Sequence, residues 1–86
     1  MEINKLIEIV KEKISKEIIL QEINVEDNTF LHKNHKNNSP NKFHIKISII
    51  SDELKPKKKI DSTKRIYKIL ENELKNYIHS IQLSIN

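Results

Sequence analysis

The chain has 86 residues, a net charge of +4 from 16 basic and 12 acidic side chains, and neither cysteine nor glycine. That length supports one domain with one small core, since a fold of this size buries only roughly 60–65% of its unfolded surface. The missing thiols exclude disulfides and thiolate ligands, so any iron or zinc would be held by His, carboxylate or a partner's sulfur; the missing glycines exclude every motif built on a glycine loop.

The N-terminal "MEINKLIEIVKEK" carries acids on an amphipathic pattern and does not resemble a signal or transit peptide, so a cytoplasmic address is expected. Leu6, Ile7, Val10 and Ile14 recur at helical spacing while Lys5, Glu8, Lys11, Glu12 and Lys13 form the wet face, which predicts a helix over about 3–16. "IILQEINV" shifts to period two, with Ile19, Ile23 and Val25 on one face, and predicts a strand. Between Asp27 and Asn41 an Asn-rich segment carries Pro40, His32 and His35 without any period, a loop of the length that usually has a functional reason. Phe43, Ile45, Ile47 and Ile49 then alternate with His44, Lys46 and Ser48, the pattern of a central strand. Pro56 and four lysines, Lys55, Lys57, Lys58 and Lys59, make a basic segment before Asp61 or Ser62, either of which could cap a new helix. In that helix Ile66, Ile69, Leu70, Leu74, Tyr77 and Ile78 form one stripe, with Glu71 and Lys75 as an i,i+4 pair opposite it. Finally His79, Ile81, Leu83 and Ile85 share one strand parity and Ser80, Gln82 and Ser84 the other, predicting an edge or near-edge strand. Nowhere is there an apolar run near the ~20 residues that a membrane span needs, so a soluble protein is expected. These elements are best buried as a single α+β domain of two layers, helices packed on one face of a three-stranded mixed sheet.

Of the four histidines, none forms a close-spaced pair of the kind that marks a zinc helix. His44 alternates with inward isoleucines and is expected on the other sheet face in a surface or packing role. His79 shares the parity of buried residues, which leaves a hydrogen-bonded core histidine and a metal ligand both open. His32 and His35 are either solvated loop residues or ligands. No cysteine, no glycine-flanked serine and no isolated carboxylate pair is present, so an enzyme is not expected. Lys55, Lys57, Lys58, Lys59, Lys64, Arg65 and Lys68 cluster in one segment and its helix, either a phosphate-contacting face or a solvated one. The element order is that of a KH domain, yet a KH domain grips RNA through a GXXG loop that a glycine-free chain cannot make.

"HIKISIISDEL", "STKRIYKILENELKNYIHSIQLSI" and "VEDNTFLH" resemble the BolA family over about residues 20–85, nearly the whole chain. The resemblance implies a fold akin to a type II KH domain, in the order α-β-β-α-α-β. It also implies a partnership with a monothiol glutaredoxin, in which a [2Fe-2S] cluster is shared with that protein and glutathione. His79 in "IHSI" matches one family ligand, and the second, a loop His or Cys, falls on His32 when counted forward from "DNTFLH" or on His35 when counted back from His44. Imidazoles in place of thiolates would remove negative charge from one iron and raise its potential, as in Rieske centres. The family's Arg-His-Arg at the start of the long helix is Ser62, Thr63 and Lys64 here, followed by Arg65, and this weakens the DNA-binding activity attributed to some members. Leu54 replaces a family Phe and Pro56 a Gly. The first expectation is therefore a cluster-handling partner of glutaredoxin, monomeric alone, with delivery, iron sensing and stress-linked regulation all open. The alternative is a DNA-binding transcription regulator using Lys57, Lys58, Lys59, Lys64, Arg65 and Lys68.

Overall fold

The computed structural model describes residues 1–29 and 42–86. The first helix, α1, spans Ile3–Glu17, and its N-cap Glu2 accepts a hydrogen bond from the backbone of Asn4. Leu6, Val10 and Ile14, spaced by four, are fully buried, so one stripe of α1 faces the core. The helix ends in the β-branched pair Ile18 and Ile19, where Ile18 is already extended while its N–H still bonds the carbonyl of Ile14.

Strand β1 is Glu22–Asp27 and begins later than the alternation of "IILQEINV" suggests. Ile19 lies outside the strand: it is 74% exposed, and its carbonyl accepts from the Ser51 hydroxyl at 2.7 Å rather than from a neighbouring strand. Strand β2, Phe43–Ile50, is central as expected: it pairs antiparallel with β1 (Val25 opposite Ile47) and parallel with β3, Ile78–Ile85 (Ile47 opposite Leu83). Ile45, Ile47 and Ile49 point into the core against α1 and the later helices, whereas His44, Lys46 and Ser48 stand on the other face.

The predicted long helix is two: α2, Lys59–Ile69, and α3, Glu71–Asn76, separated at Leu70 where φ is −97° and ψ 18°. The apolar stripe survives the break, with Ile66 and Leu70 fully buried. The bend turns Glu73 inward, where its carboxylate meets Lys13 Nζ of α1 at 2.8 and 2.9 Å. Neither Asp61 nor Ser62 caps α2; the N-cap is Lys58 and its side chain makes no cap hydrogen bond. Glu71 and Lys75 are both exposed and do not pair; among the described residues the ion pairs are Lys13 with Glu73, Lys16 with Glu12, and Arg65 with Glu53. No described residue has a positive φ, so the glycine-free turns are made within ordinary backbone conformations. No helix among the described residues is long and apolar enough to cross a membrane.

Candidate functional site

At the start of β3 the ladder slips: Phe43 pairs with Ile78 but His44 pairs with Ser80, leaving His79 as an extra residue without a partner. This is a bulge, and a bulge re-aims the side chain it carries. Its consequence corrects the parity expected for His79. Ile78 takes the inward position at 1% exposure, and His79 is exposed on the side of His44 and Ser80 rather than in line with Ile81, Leu83 and Ile85.

His44 stands on the sheet face opposite Ile45 and Ile47, as its alternation requires, but it is buried, 6% exposed. Its Nδ1 lies 2.6 Å from Ser80 Oγ and its Nε2 lies 3.2 Å from His79 Nδ1. The two rings meet edge to face, centroids 4.7 Å apart at 76°. Two tautomer assignments satisfy this chain of contacts, one the reverse of the other; in one of them His79 Nδ1–H donates to His44 Nε2, and His44 Nδ1–H donates to Ser80 Oγ. In that state the lone pair of His79 is at Nε2, on the exposed imidazole.

The backbone around this pair is tied to the ends of the segment that carries the loop histidines. Asn28 N–H donates to His44 O at 2.7 Å, and His44 N–H donates to Thr29 Oγ1 at 3.2 Å. Thr29 is itself held by Asp27 Oδ1, which accepts from its backbone N–H at 2.9 Å and from its hydroxyl at 2.5 Å, an Asx turn that ends β1. Phe43 N–H donates to Tyr77 O at 2.9 Å and fixes the other side. His32 and His35 themselves lie outside the described residues. Among the described residues no group of three or more His, Cys, Asp or Glu gathers where it could hold a metal ion.

His79 stands out in the sequence as a candidate, whereas the part that His44 plays beside it does not. Alternation could put His44 on the right face, but no local pattern announces a contact between residues 35 apart.

The candidate cations fall into two groups. Lys57, Lys58, Lys59, Lys64 and Lys68 are exposed. Arg65 is not available to a partner in the same way: its guanidinium bonds Glu53 Oε2 at 2.5 Å and the carbonyl of Glu17 at 2.6 Å, joining α2 to the end of α1. The Arg65 guanidinium, aided by the backbone N–H of Ile19, holds the Glu53 carboxyl below the usual carboxylate range.

A model of the BolA-like protein family matches residues 14–86. The chain belongs to the BolA family. The match begins in the last turn of α1 and covers the sheet, α2, α3 and the histidine pair. A BolA relative, the DNA-binding transcriptional regulator BolA of Haemophilus influenzae, is 30% identical over 78 residues, covering 91% of this chain and 73% of that protein. Among solved BolA structures, the BolA domain of SufE1 from Arabidopsis thaliana is 28% identical with a TM-score of 0.75, covering 90% of this chain and 85% of that one. BolA1 from the same plant superposes with a TM-score of 0.77 at 22% identity, covering 93% and 88% of the two chains. A BolA-like protein from Babesia bovis gives 0.71 at 18%, covering 92% and 80%; both of these bear on the fold alone. The small α+β domain with a three-stranded mixed sheet is thus the BolA fold.

Proposed function

We propose that this BolA-family chain is a non-enzymatic, cytoplasmic partner of a monothiol glutaredoxin, offering His79 as one ligand to a [2Fe-2S] cluster held between the two proteins with glutathione. The observation that supports this reading most strongly is the His79–His44 contact. A ligating imidazole needs its second nitrogen fixed by a hydrogen-bond acceptor, which sets the tautomer and the ring direction. In the tautomer in which His79 Nδ1–H donates, His44, buried and held by Ser80, does this for His79 and leaves Nε2 of an exposed ring to face a partner. The donor chemistry fits half a site: one oriented imidazole from the described residues, with His32 or His35 as the second ligand. The cluster is cargo here, an acceptor of imidazole lone pairs that the chain's own residues must present neutral. His79 binds, and His44 positions it.

The test is titration of the chain into cluster-loaded monothiol glutaredoxin, followed by visible circular dichroism and by histidine side-chain NMR. A changed cluster spectrum together with perturbed His79 and one of His32 or His35 is the expected result, and it identifies the loop ligand. His79→Ala is expected to abolish the spectral change. His44→Phe keeps the apolar bulk but removes the acceptor, and is expected to weaken the complex about 10-fold, within the range for loss of such a supporting hydrogen bond. An unchanged spectrum on adding the wild-type chain would overturn the reading.

A second reading is supported by the five exposed lysines of the basic segment and α2 and by the DNA-binding description of the Haemophilus influenzae relative. Here Lys57, Lys58, Lys59, Lys64 and Lys68 contact phosphates, while Arg65 supports the helix. Binding to duplex DNA would then fall with salt by a log–log slope of about 0.9 for each phosphate neutralised. A flat salt dependence would remove this reading.

A further inference from the structure

Ser62 is a buried polar group left without a partner. The residue is 1% exposed, and its Oγ has no hydrogen-bond partner among the described residues. A serine inside a helix commonly turns its hydroxyl back to the carbonyl four residues earlier. Here that carbonyl, Lys58 O, takes the backbone N–H groups of Asp61 and Ser62. An unmade hydrogen bond at a buried hydroxyl is destabilising, so its presence in a small core calls for a use.

Its surroundings suggest one. Ser62 lines a cleft of about 280 Å³ together with Lys55, Lys57, Lys59 and Ser84, with Leu54 and Ile85 as its apolar walls. Three lysines therefore line a cleft with no carboxylate in its lining, and none of the three is in an ion pair among the described residues. The cleft sits at the N-terminus of α2, where the cap residue Lys58 supplies no side-chain acceptor. The N–H groups of Lys59 and Ile60 open the helix at its positive end and are free of a side-chain cap. Asp61, the acid of the first turn, is exposed and does not line the cleft.

We propose that this cleft is a binding site for a phosphoryl oxyanion, with Lys55, Lys57 and Lys59 neutralising its charge and Ser62 Oγ and the first amides of α2 donating to its oxygens. Tetrahedral oxygens suit donors arriving from a helix end, a floor hydroxyl and flanking ammonium groups, and two negative charges suit three cations better than a single carboxylate would. The site stands apart from the histidine pair and does not rest on the cluster reading.

Inorganic phosphate titrated into the ¹⁵N-labelled full chain, at constant ionic strength against chloride, provides the test. Saturable shifts of the Lys59, Ile60 and Ser62 amides are expected with phosphate and not with chloride. Ser62→Ala, which removes only an unpaired hydroxyl and so keeps the fold, is expected to weaken phosphate binding about tenfold. Lys57→Gln with Lys59→Gln is expected to abolish saturation. Equal responses to phosphate and chloride, or an affinity unchanged in Ser62→Ala, would overturn the site. A duplex DNA then separates the two sources of the same chemistry. Displacement of DNA by phosphate from these amides assigns the cleft to a nucleic-acid backbone, and binding of phosphate that DNA does not contest assigns it to a free phosphate or a small phosphorylated ligand.

Discussion

Replacing Lys13 with Met isolates the interaction that joins α1 to α3. Glu73 is 4% exposed at its side chain and takes both its strong hydrogen bonds from one ammonium group, at 2.8 and 2.9 Å. Desolvation by burial works to raise the Glu73 carboxyl, but the bonds from Lys13 and Asn72 outweigh it and hold it below the usual glutamate range. Removing one partner of a fully buried pair costs about 3–5 kcal/mol, because the other charge is left uncompensated. Lys13 is itself 39% exposed, so water screens part of the pair, and the expected loss is about 2 kcal/mol at pH 7. For a domain of this size that is a fall in Tm of roughly 10 °C.

The sign of the pH dependence checks the reasoning. A carboxyl whose folded value lies below its unfolded one stabilises the fold above the unfolded value, about 4.3. That contribution fades as pH falls through the folded value. The gap between wild type and Lys13→Met, measured by urea unfolding, should therefore narrow below about pH 4. The double variant Lys13→Met with Glu73→Leu should recover most of the loss, since an apolar pair of similar volume leaves no buried charge. A loss under about 0.5 kcal/mol at pH 7, or one equally large at pH 3 and pH 7, would refute the assignment of a buried, mutually dependent pair.

Three further outcomes follow from the same structure. Ser62→Ala should raise stability by about 1 kcal/mol in urea unfolding, because an unpaired buried hydroxyl is removed and only a small void is left. Arg65→Lys keeps the charge but cannot bridge Glu53 and the carbonyl of Glu17 together; the carboxyl of Glu53, followed by NMR titration, should move back up towards the usual range, and Tm should fall. Ile47→Ala, at the centre of β2 and fully buried, should cost about 2–5 kcal/mol, enough to leave the chain largely unfolded near 37 °C when whole-domain stabilities start at about 5 kcal/mol.

The parts of the fold that were legible in the sequence are those where periodicity and burial agree. The stripe Leu6, Val10, Ile14 and the alternation Ile45, Ile47, Ile49 each name a face, and the structure buries those residues. Where one residue breaks a period, periodicity misleads. His79 continues the parity of Ile81, Leu83 and Ile85, yet a single bulged residue moves it to the other face and puts Ile78 in its place. Leu70 lies on an unbroken helical stripe, but the backbone bends there while the stripe continues. The start of α2 departs from the sequence pattern for a different reason. Asp61 and Ser62 have the chemistry of caps, but the chain after Pro56 is already helical at Lys59, which puts Ser62 inside the helix and buries it. The same displacement exposes the link between a failed cap and a candidate ligand site: a serine that would have served α2 from outside instead faces a cleft from within. The His44 contact belongs to a class that one sequence cannot announce, because it depends on strand register across distant segments.

The two candidate sites use opposite ends of one strand, and this allows them to be separated experimentally. His79 is the second residue of β3 and Ser84 the last but one; at about 3.3 Å per residue, five steps place them roughly 16 Å apart. Sites more than about 10 Å apart with no shared partner usually act independently. His79→Ala should therefore leave the phosphate titration unchanged, and Ser62→Ala should leave the response to cluster-loaded glutaredoxin unchanged, with the double variant showing the sum of the two effects. The strand is also the route by which that independence could fail. Asn86, next after β3, bonds back to both Ile49 and Ser51, so occupancy at one end could stiffen the β2–β3 pair as a whole. If the double variant departs from additivity by more than about 0.5 kcal/mol in either binding free energy, the sheet couples the two sites, and phosphate becomes an effector of the histidine end rather than a second, separate ligand.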